Sequence, residues 1–108
     1  MPLNFLSELV ETFILVFAIK GISQVEGISG GLSNLFVFGI IVSIGMSFGG
    51  LTGYAINPAR DLAPRLAHTV LPIKDKGASN WSYAAVPLFG PIAGALLAVG
   101  VYALIPWA

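Results

Sequence analysis

The sequence predicts an all-α membrane protein with three transmembrane helices and one re-entrant half-helix. Hydrophobic residues occupy 56% of the 108 positions and charged residues only 9%, and the mean hydropathy is +0.91. Soluble domains are about 25% charged, so this composition is typical of a chain in lipid. Three segments approach the length needed to cross a hydrocarbon core, because that core is about 30 Å thick and a helix rises about 1.5 Å per residue.

Composition also excludes several functions. Without cysteine the chain has neither a disulfide nor a thiolate metal site, and one histidine builds no metal cluster, so no metal or cofactor is expected. The formal net charge is zero and there is no basic run, so nucleic acid is not an expected partner. His68 has no evident nucleophile nearby in sequence, so an enzyme is not expected.

The first helix is predicted over residues 4–22 and is the weakest candidate, because it contains Glu8, Glu11 and Lys20. The N-terminus lacks the basic segment of a signal peptide and carries two acids where such a peptide is apolar. We therefore expect a mature membrane segment.

The second helix is predicted over 32–51, after a polar glycine-rich loop, and the third over 81–105, after a loop with Pro, Gly and three charges. Trp81, Tyr83 and Trp107 lie near helix ends, where aromatic side chains anchor helices at the membrane interface. Pro91 removes one backbone hydrogen bond inside the third helix and predicts a kink.

Small residues recur at a spacing of four, which allows helices to approach closely in lipid. These residues are Gly45, Gly49 and Gly53 in the second helix, and Gly90 and Gly94 in the third. We interpret them first as packing positions.

A half-helix is predicted over 58–66, because too few residues remain before Pro72 for a complete span. Asn57 is a good N-cap and Pro58 suits the first helical position. A helix that begins at membrane depth directs its positive dipole end into the protein, which disfavours cations there.

The backbone between Gly53 and Asn57 is expected to be extended, which lipid tolerates only where it lines a cavity or is buried in protein. Its amides need acceptors, and Glu8 is the candidate. Alternatively, Glu8 lies at the level of the lipid headgroups and has no partner within the protein. Arg60 lies one turn after Asn57, and the pattern leaves it either as a fixed charge beside the cavity or as an arginine that snorkels to the membrane edge.

Three stretches resemble the aquaporin, or major intrinsic protein, family. "GYAINPAR" at 53–60 resembles its second NPA box, "ELVET" at 8–12 its fourth helix, and "VPLFGPIAGA" at 86–95 the start of its sixth. The resemblance implies that residues 1–108 form the C-terminal repeat of such a channel. It further implies the glycerol-conducting branch, because Gly45 stands where water-selective members commonly have histidine and Asp61 where they have a small residue.

The resemblance also implies roles for individual residues. The selectivity filter comprises Arg60, Tyr54 and Gly45, and the pore-lining NPA group comprises Asn57, Pro58 and Ala59. The carbonyl ladder comprises Gly53, Tyr54 and Ala55, Glu8 supports the loop, and the glycerol-type markers are Asp61, Arg65, Pro87 and Leu88. Tyr54 stands where bacterial glycerol facilitators usually have Phe, so its hydroxyl is expected to narrow the slot. Glu11 has no role in the resemblance.

The expected function is therefore passive conduction of glycerol and other small neutral solutes, with water, in a bacterial cell membrane. Lipid surrounds the chain, which supplies half of the pore; the missing N-terminal repeat or another copy supplies the rest. Another copy would have to lie in the membrane in the opposite orientation. Lysines beside the spans help to set the orientation of a membrane protein, but Lys20, Lys74 and Lys76 do not fix one orientation of this chain. The resemblance implies a homo-oligomer, a tetramer of complete channels. The alternative function is a non-conducting truncated subunit that associates with full-length channels.

Overall fold

The computed structural model describes residues 1–107, which form helices and no strands. The helices are α1 (Pro2–Ser23), α2 (Gly30–Thr52), α3 (Pro58–Val70) and α4 (Ala85–Leu104), and a short 3-10 turn at Trp81–Tyr83 precedes α4. Two stretches, Gly30–Thr52 and Trp81–Leu104, are long and apolar enough to cross a membrane by length and composition. α1 is 22 residues long, but its two glutamates and Lys20 make it more polar.

The core lies between α1 and α4, which approach closely at two glycines of α4. A Cβ atom on Gly90 would lie 2.8 Å from Cβ of Glu8, and one on Gly94 would overlap the backbone oxygen of Leu9. These positions confirm close helix packing at that glycine pair. Gly45 and Gly49 were also expected to pack against another helix, but the atoms nearest to a Cβ at either position belong to the ring of Tyr54.

Helix ends differ from the predicted bounds for local reasons. α2 begins at Gly30 because the side chain of Ser29 caps it, accepting the amide of Leu32 at 3.3 Å. α4 begins at Ala85, which places Pro87 in the first turn, where a missing amide costs no helical hydrogen bond.

α3 continues to Val70, past the predicted end at residue 66. Lys76 explains the extension: its Nζ donates to the carbonyl oxygens of His68, Thr69 and Leu71 at 2.7 to 2.8 Å. A cation at this end of a helix satisfies carbonyls that have no partner within the helix and complements the negative end of the dipole.

The aromatic residues predicted as interface anchors also make contacts within the chain. Trp107 stacks on Tyr102 at a centroid distance of 4.6 Å and donates its Nε1–H to the Tyr102 carbonyl at 3.0 Å. Trp81 donates to Oγ1 of Thr69 at 3.0 Å, and the hydroxyl of Tyr83 accepts from Asn4 at 3.3 Å. Their position at a membrane interface stays a prediction.

Gly94→Ala is expected to destabilise the fold, because the added methyl group overlaps the backbone of Leu9 and a backbone cannot move aside cheaply. Overpacking of this kind costs about 1–3 kcal/mol or more. The measurement is the thermal unfolding midpoint in detergent, followed by near-UV circular dichroism. Gly100→Ala is the control, because nothing lies within 4 Å of its added Cβ. Equal midpoints for the two variants would contradict the packing described here.

Candidate functional site

The candidate site is built on the non-helical segment between α2 and α3. Gly53 has a φ of 73° and ends α2 in the left-handed region, where its amide donates to Gly49 at 3.0 Å. Tyr54 and Ile56 both have a φ of 42°. Positive φ is uncommon for residues with a Cβ and costs of order 1–3 kcal/mol, so surrounding contacts must hold this backbone in place.

Glu8 provides such a contact from α1. Its side chain is 0% exposed; Oε1 accepts the amide of Ala55 at 2.9 Å and Oε2 accepts the amide of Ile56 at 2.7 Å. One carboxylate therefore satisfies two successive loop amides and turns both towards α1. Hydrogen bonds to a charged acceptor are about twice as strong as neutral ones, which suits a contact that holds strained backbone.

Asn57 ends the segment and begins α3. Its φ of −154° and ψ of 113° are extended, and Oδ1 accepts the amides of Ala59 at 2.9 Å and Arg60 at 3.3 Å. Oδ1 is thus the acceptor of this side chain for the first turn of α3, and its Nδ2 group is a hydrogen-bond donor. The positive end of the α3 dipole lies at the same point.

The ring of Tyr54 lies between α2 and α3. The guanidinium of Arg60 lies 5.2 Å from the ring centroid, within the range of a cation–π interaction. The ring also lies against α2: a Cβ on Gly49 would lie 2.7 Å from Cδ1 of Tyr54, and one on Gly45 would lie 3.0 Å from Cζ. The volume left by the missing side chain of Gly45 is thus occupied by the aromatic ring.

A cavity of about 190 Å³ joins these groups. Its lining combines one cation, one amide, one aromatic ring and three aliphatic side chains: Arg60, Asn57, Tyr54, Leu15, Ile41 and Ile56. Sequence reasoning missed Leu15 and Ile41. Leu15 lies two turns after Glu8 on α1 and Ile41 one turn before Gly45 on α2, so helical spacing from those residues was the available signal.

Other predicted site residues lie outside this cavity. Ala55 is buried beside Glu8, and Pro58 and Ala59 form the first turn of α3. Pro87 and Leu88 belong to the beginning of α4, where Pro87 is fully buried. A larger groove of about 480 Å³ runs between α1 and α2 and contains none of the predicted site residues.

Asp61 and Arg65 form a bidentate ion pair, with Nε–Oδ2 at 2.8 Å and Nη2–Oδ1 at 2.9 Å. Nη1 of Arg65 also donates to the carbonyl oxygens of Ser79 at 2.6 Å and Asn80 at 2.9 Å. Arg65 therefore fastens the loop before α4 to α3. The structure gives these two residues a role in positioning the loop, and neither of them lines the cavity.

The electrostatic character of the cavity is set by Arg60. Within residues 1–107 the ion pairs do not include Arg60, and no group of three or more acidic, histidine or cysteine side chains is placed to hold a metal ion. The cavity lining therefore combines fixed positive charge and hydrogen-bond donors with apolar carbon.

Two helical stretches long and apolar enough to cross a membrane are typical of an integral membrane protein. Residues 3–102 match the family model described as major intrinsic protein. The chain belongs to the major intrinsic protein family and is a protein of the cell membrane.

Similar proteins are bacterial. "Glycerol uptake facilitator protein 3" of Lactiplantibacillus plantarum is 48% identical over 103 residues, which are 95% of this chain and 42% of that protein. "Glycerol uptake facilitator protein" of Bacillus subtilis is 57% identical over 91 residues, 84% of this chain and 33% of that protein. The chain thus spans less than half of the length of these relatives. No solved structure matches it.

Glu8→Gln is expected to lower stability. The amide side chain retains one acceptor but turns an NH₂ group towards the other loop amide, which leaves a buried donor unpaired at a cost of about 1–3 kcal/mol. The measurement is the unfolding midpoint of the purified chain in detergent. The control is Glu26→Gln in the exposed loop before α2, which should leave the midpoint unchanged. The same midpoint for both variants would show that the Glu8 contacts contribute little.

Proposed function

We propose that the chain supplies half of a passive channel for glycerol and other small neutral solutes, with water. The cavity lined by Arg60, Asn57, Tyr54, Leu15 and Ile41 carries this proposal, because it combines donors with apolar carbon in one small space. The relatives are named glycerol uptake facilitators, which agrees with this proposal. The proposed activity is that of a channel and not of an enzyme.

A polyol is amphipathic, and the cavity matches both of its faces. The guanidinium of Arg60 and the Nδ2 group of Asn57 replace water around the hydroxyl groups, while Tyr54, Leu15 and Ile41 contact the carbon backbone. Gly45 and Gly49 seat the Tyr54 ring and so set its distance from Arg60. Gly45 therefore belongs to the proposed filter as the position that accommodates the ring of Tyr54.

Cations are disfavoured in this cavity by two positive groups. Arg60 carries a guanidinium charge, and the dipole of α3 presents its positive end at Asn57. Arginine and half-helix dipoles in aquaporin-type pores are the standard physical example of such exclusion. We propose the same role for these groups here.

The proposed topology has three spans and one re-entrant half-helix. α1 is the third span, in addition to the two apolar stretches that contain α2 and α4. Its two acids are compatible with a span, because Glu8 and Glu11 are both fully buried against protein and do not face lipid. α3 is the half-helix, with 13 residues and about 20 Å of length at about 1.5 Å per residue, which is short of a hydrocarbon core. Residues 1–107 would then form one repeat of the channel.

The cavity needs a second wall. α2 presents large apolar side chains outwards, among them Phe36, Phe38 and Met46, the last 85% exposed. Some of this surface faces lipid, and some would face the repeat that completes the pore. Since the chain spans 42% of one relative and 33% of another, a second repeat of similar size or another copy of the chain is the proposed partner, in a homo-oligomer of complete channels.

Stopped-flow light scattering on liposomes that contain only this chain tests the proposal. We expect glycerol flux several-fold above that of empty liposomes, and an increased cation leak in Arg60→Ala, because the fixed charge is removed. Lys74→Ala, in the exposed loop before α4, is the control. Verified insertion without glycerol flux would contradict self-sufficient conduction by copies of this chain and would mean that the pore needs the second repeat.

Tyr54→Phe is expected to raise the ratio of glycerol to water permeability, because it removes a hydroxyl and leaves the ring on Gly45 and Gly49. The two permeabilities come from the same liposomes, challenged in turn with glycerol and with an impermeant osmolyte. Tyr83→Phe is the matched control, since Tyr83 lies outside the cavity lining. An unchanged ratio would remove the Tyr54 hydroxyl from the proposed selectivity filter.

A further inference from the structure

Glu11 is a second fully buried acid on α1, and the proposed pore does not use it. Its side chain is 0% exposed and it does not line the cavity. The hydroxyl of Ser7, one turn earlier, donates to Oε1 at 2.6 Å. A buried carboxyl group is costly unless all of its oxygens find partners, so the position of Oε2 requires an explanation.

Oε2 of Glu11 and Oγ1 of Thr52 are both buried without a hydrogen-bond partner among the described residues. The hydroxyl of Thr52 is close enough to act on the Glu11 carboxyl as a hydrogen-bond donor, but the two atoms do not meet the distance and angle of a formed hydrogen bond in this structure. A hydroxyl rotor and a carboxyl oxygen are complementary, and one hydrogen bond between them would satisfy both atoms. Leaving either atom unpaired would be unfavourable.

Thr52 occupies the last position of α2, directly before the strained segment. Gly53 follows with a φ of 73° and Tyr54 with a φ of 42°. The ring of Tyr54 lies so close to Gly49 that a single Cβ there would be 2.7 Å away. A movement of a few tenths of an ångström at Thr52 would therefore displace the ring from its seat.

We propose that Glu11 is a positioning residue for Tyr54: its carboxyl group binds the hydroxyl of Thr52 and fixes the end of α2 against α1. Glu8 holds the segment after Tyr54, through the amides of Ala55 and Ile56. Glu11 holds the segment before it. The inference rests on the proposed function, because the ring position determines selectivity only if Tyr54 lines a pore.

Fluorine NMR of the chain labelled with 3-fluorotyrosine and reconstituted in lipid tests the inference without any flux measurement. The chain has three tyrosines, and Tyr54→Phe assigns the resonance of Tyr54. We expect Thr52→Val, which is nearly isosteric, to shift or split that resonance while those of Tyr83 and Tyr102 stay in place. Ser43→Ala removes another hydroxyl from α2, one bonded to its own helix at Gly39, and should change nothing.

Variants of Glu11 complete the test. Glu11→Gln should keep the wild-type Tyr54 resonance, because its amide accepts from Ser7 and donates to Thr52. Glu11→Leu should reproduce the shift of Thr52→Val, and the double variant should shift no further than either single one. An unshifted Tyr54 resonance in folded Thr52→Val would overturn the inference, even if Glu11→Leu did not fold. Absent glycerol flux with these shifts intact would contradict self-sufficient conduction by copies of this chain and would leave the positioning role of Glu11 in place.

Discussion

The hydrogen bonds between the Glu8 carboxylate and the amides of Ala55 and Ile56 are the interaction on which the site depends. Non-helical backbone at membrane depth must have every polar group satisfied, because lipid supplies no partner. Two successive amides meet this requirement through one side chain of α1. The close approach of α4 lies at the same place, since Gly90 packs against Cβ of Glu8. Glu8 is therefore held from one side by α4 while it holds the loop on the other.

From this contact the geometry of the cavity follows in order. With Ala55 and Ile56 fixed, Asn57 caps α3 and determines where that helix begins. Arg60, in the first turn of α3, then lies over the ring of Tyr54, and two glycines of α2 leave the space that the ring occupies. Cation, amide and aromatic ring are thus placed by backbone contacts from three helices, which is the kind of preorganised lining that selectivity in a narrow pore needs.

The sequence predicted the parts of this structure that depend on local chemistry. Composition indicated helices in a membrane, and the pair Asn57–Pro58 predicted the start of a helix because both residues have specific positional preferences. An acid in an apolar helix requires a partner, and this requirement predicted that Glu8 accepts amides of the loop. Leu15 and Ile41 were missed, because an apolar residue in an apolar helix is not distinctive by itself and only its helical spacing from Glu8 or Gly45 indicates that it lines the cavity. The length of α3 depends on Lys76, a contact that arises only after the loop has folded back.

The most direct test of the central claim is hydrogen–deuterium exchange, resolved by residue, on the wild-type chain in lipid. If the Glu8 carboxylate holds the loop, the amides of Ala55 and Ile56 should exchange as slowly as interior amides of α1, although they belong to no helix. Exchange as fast as that of Gly77 in the exposed loop before α4 would contradict the account, because the segment between α2 and α3 would then lack the support from which the rest of the site is built.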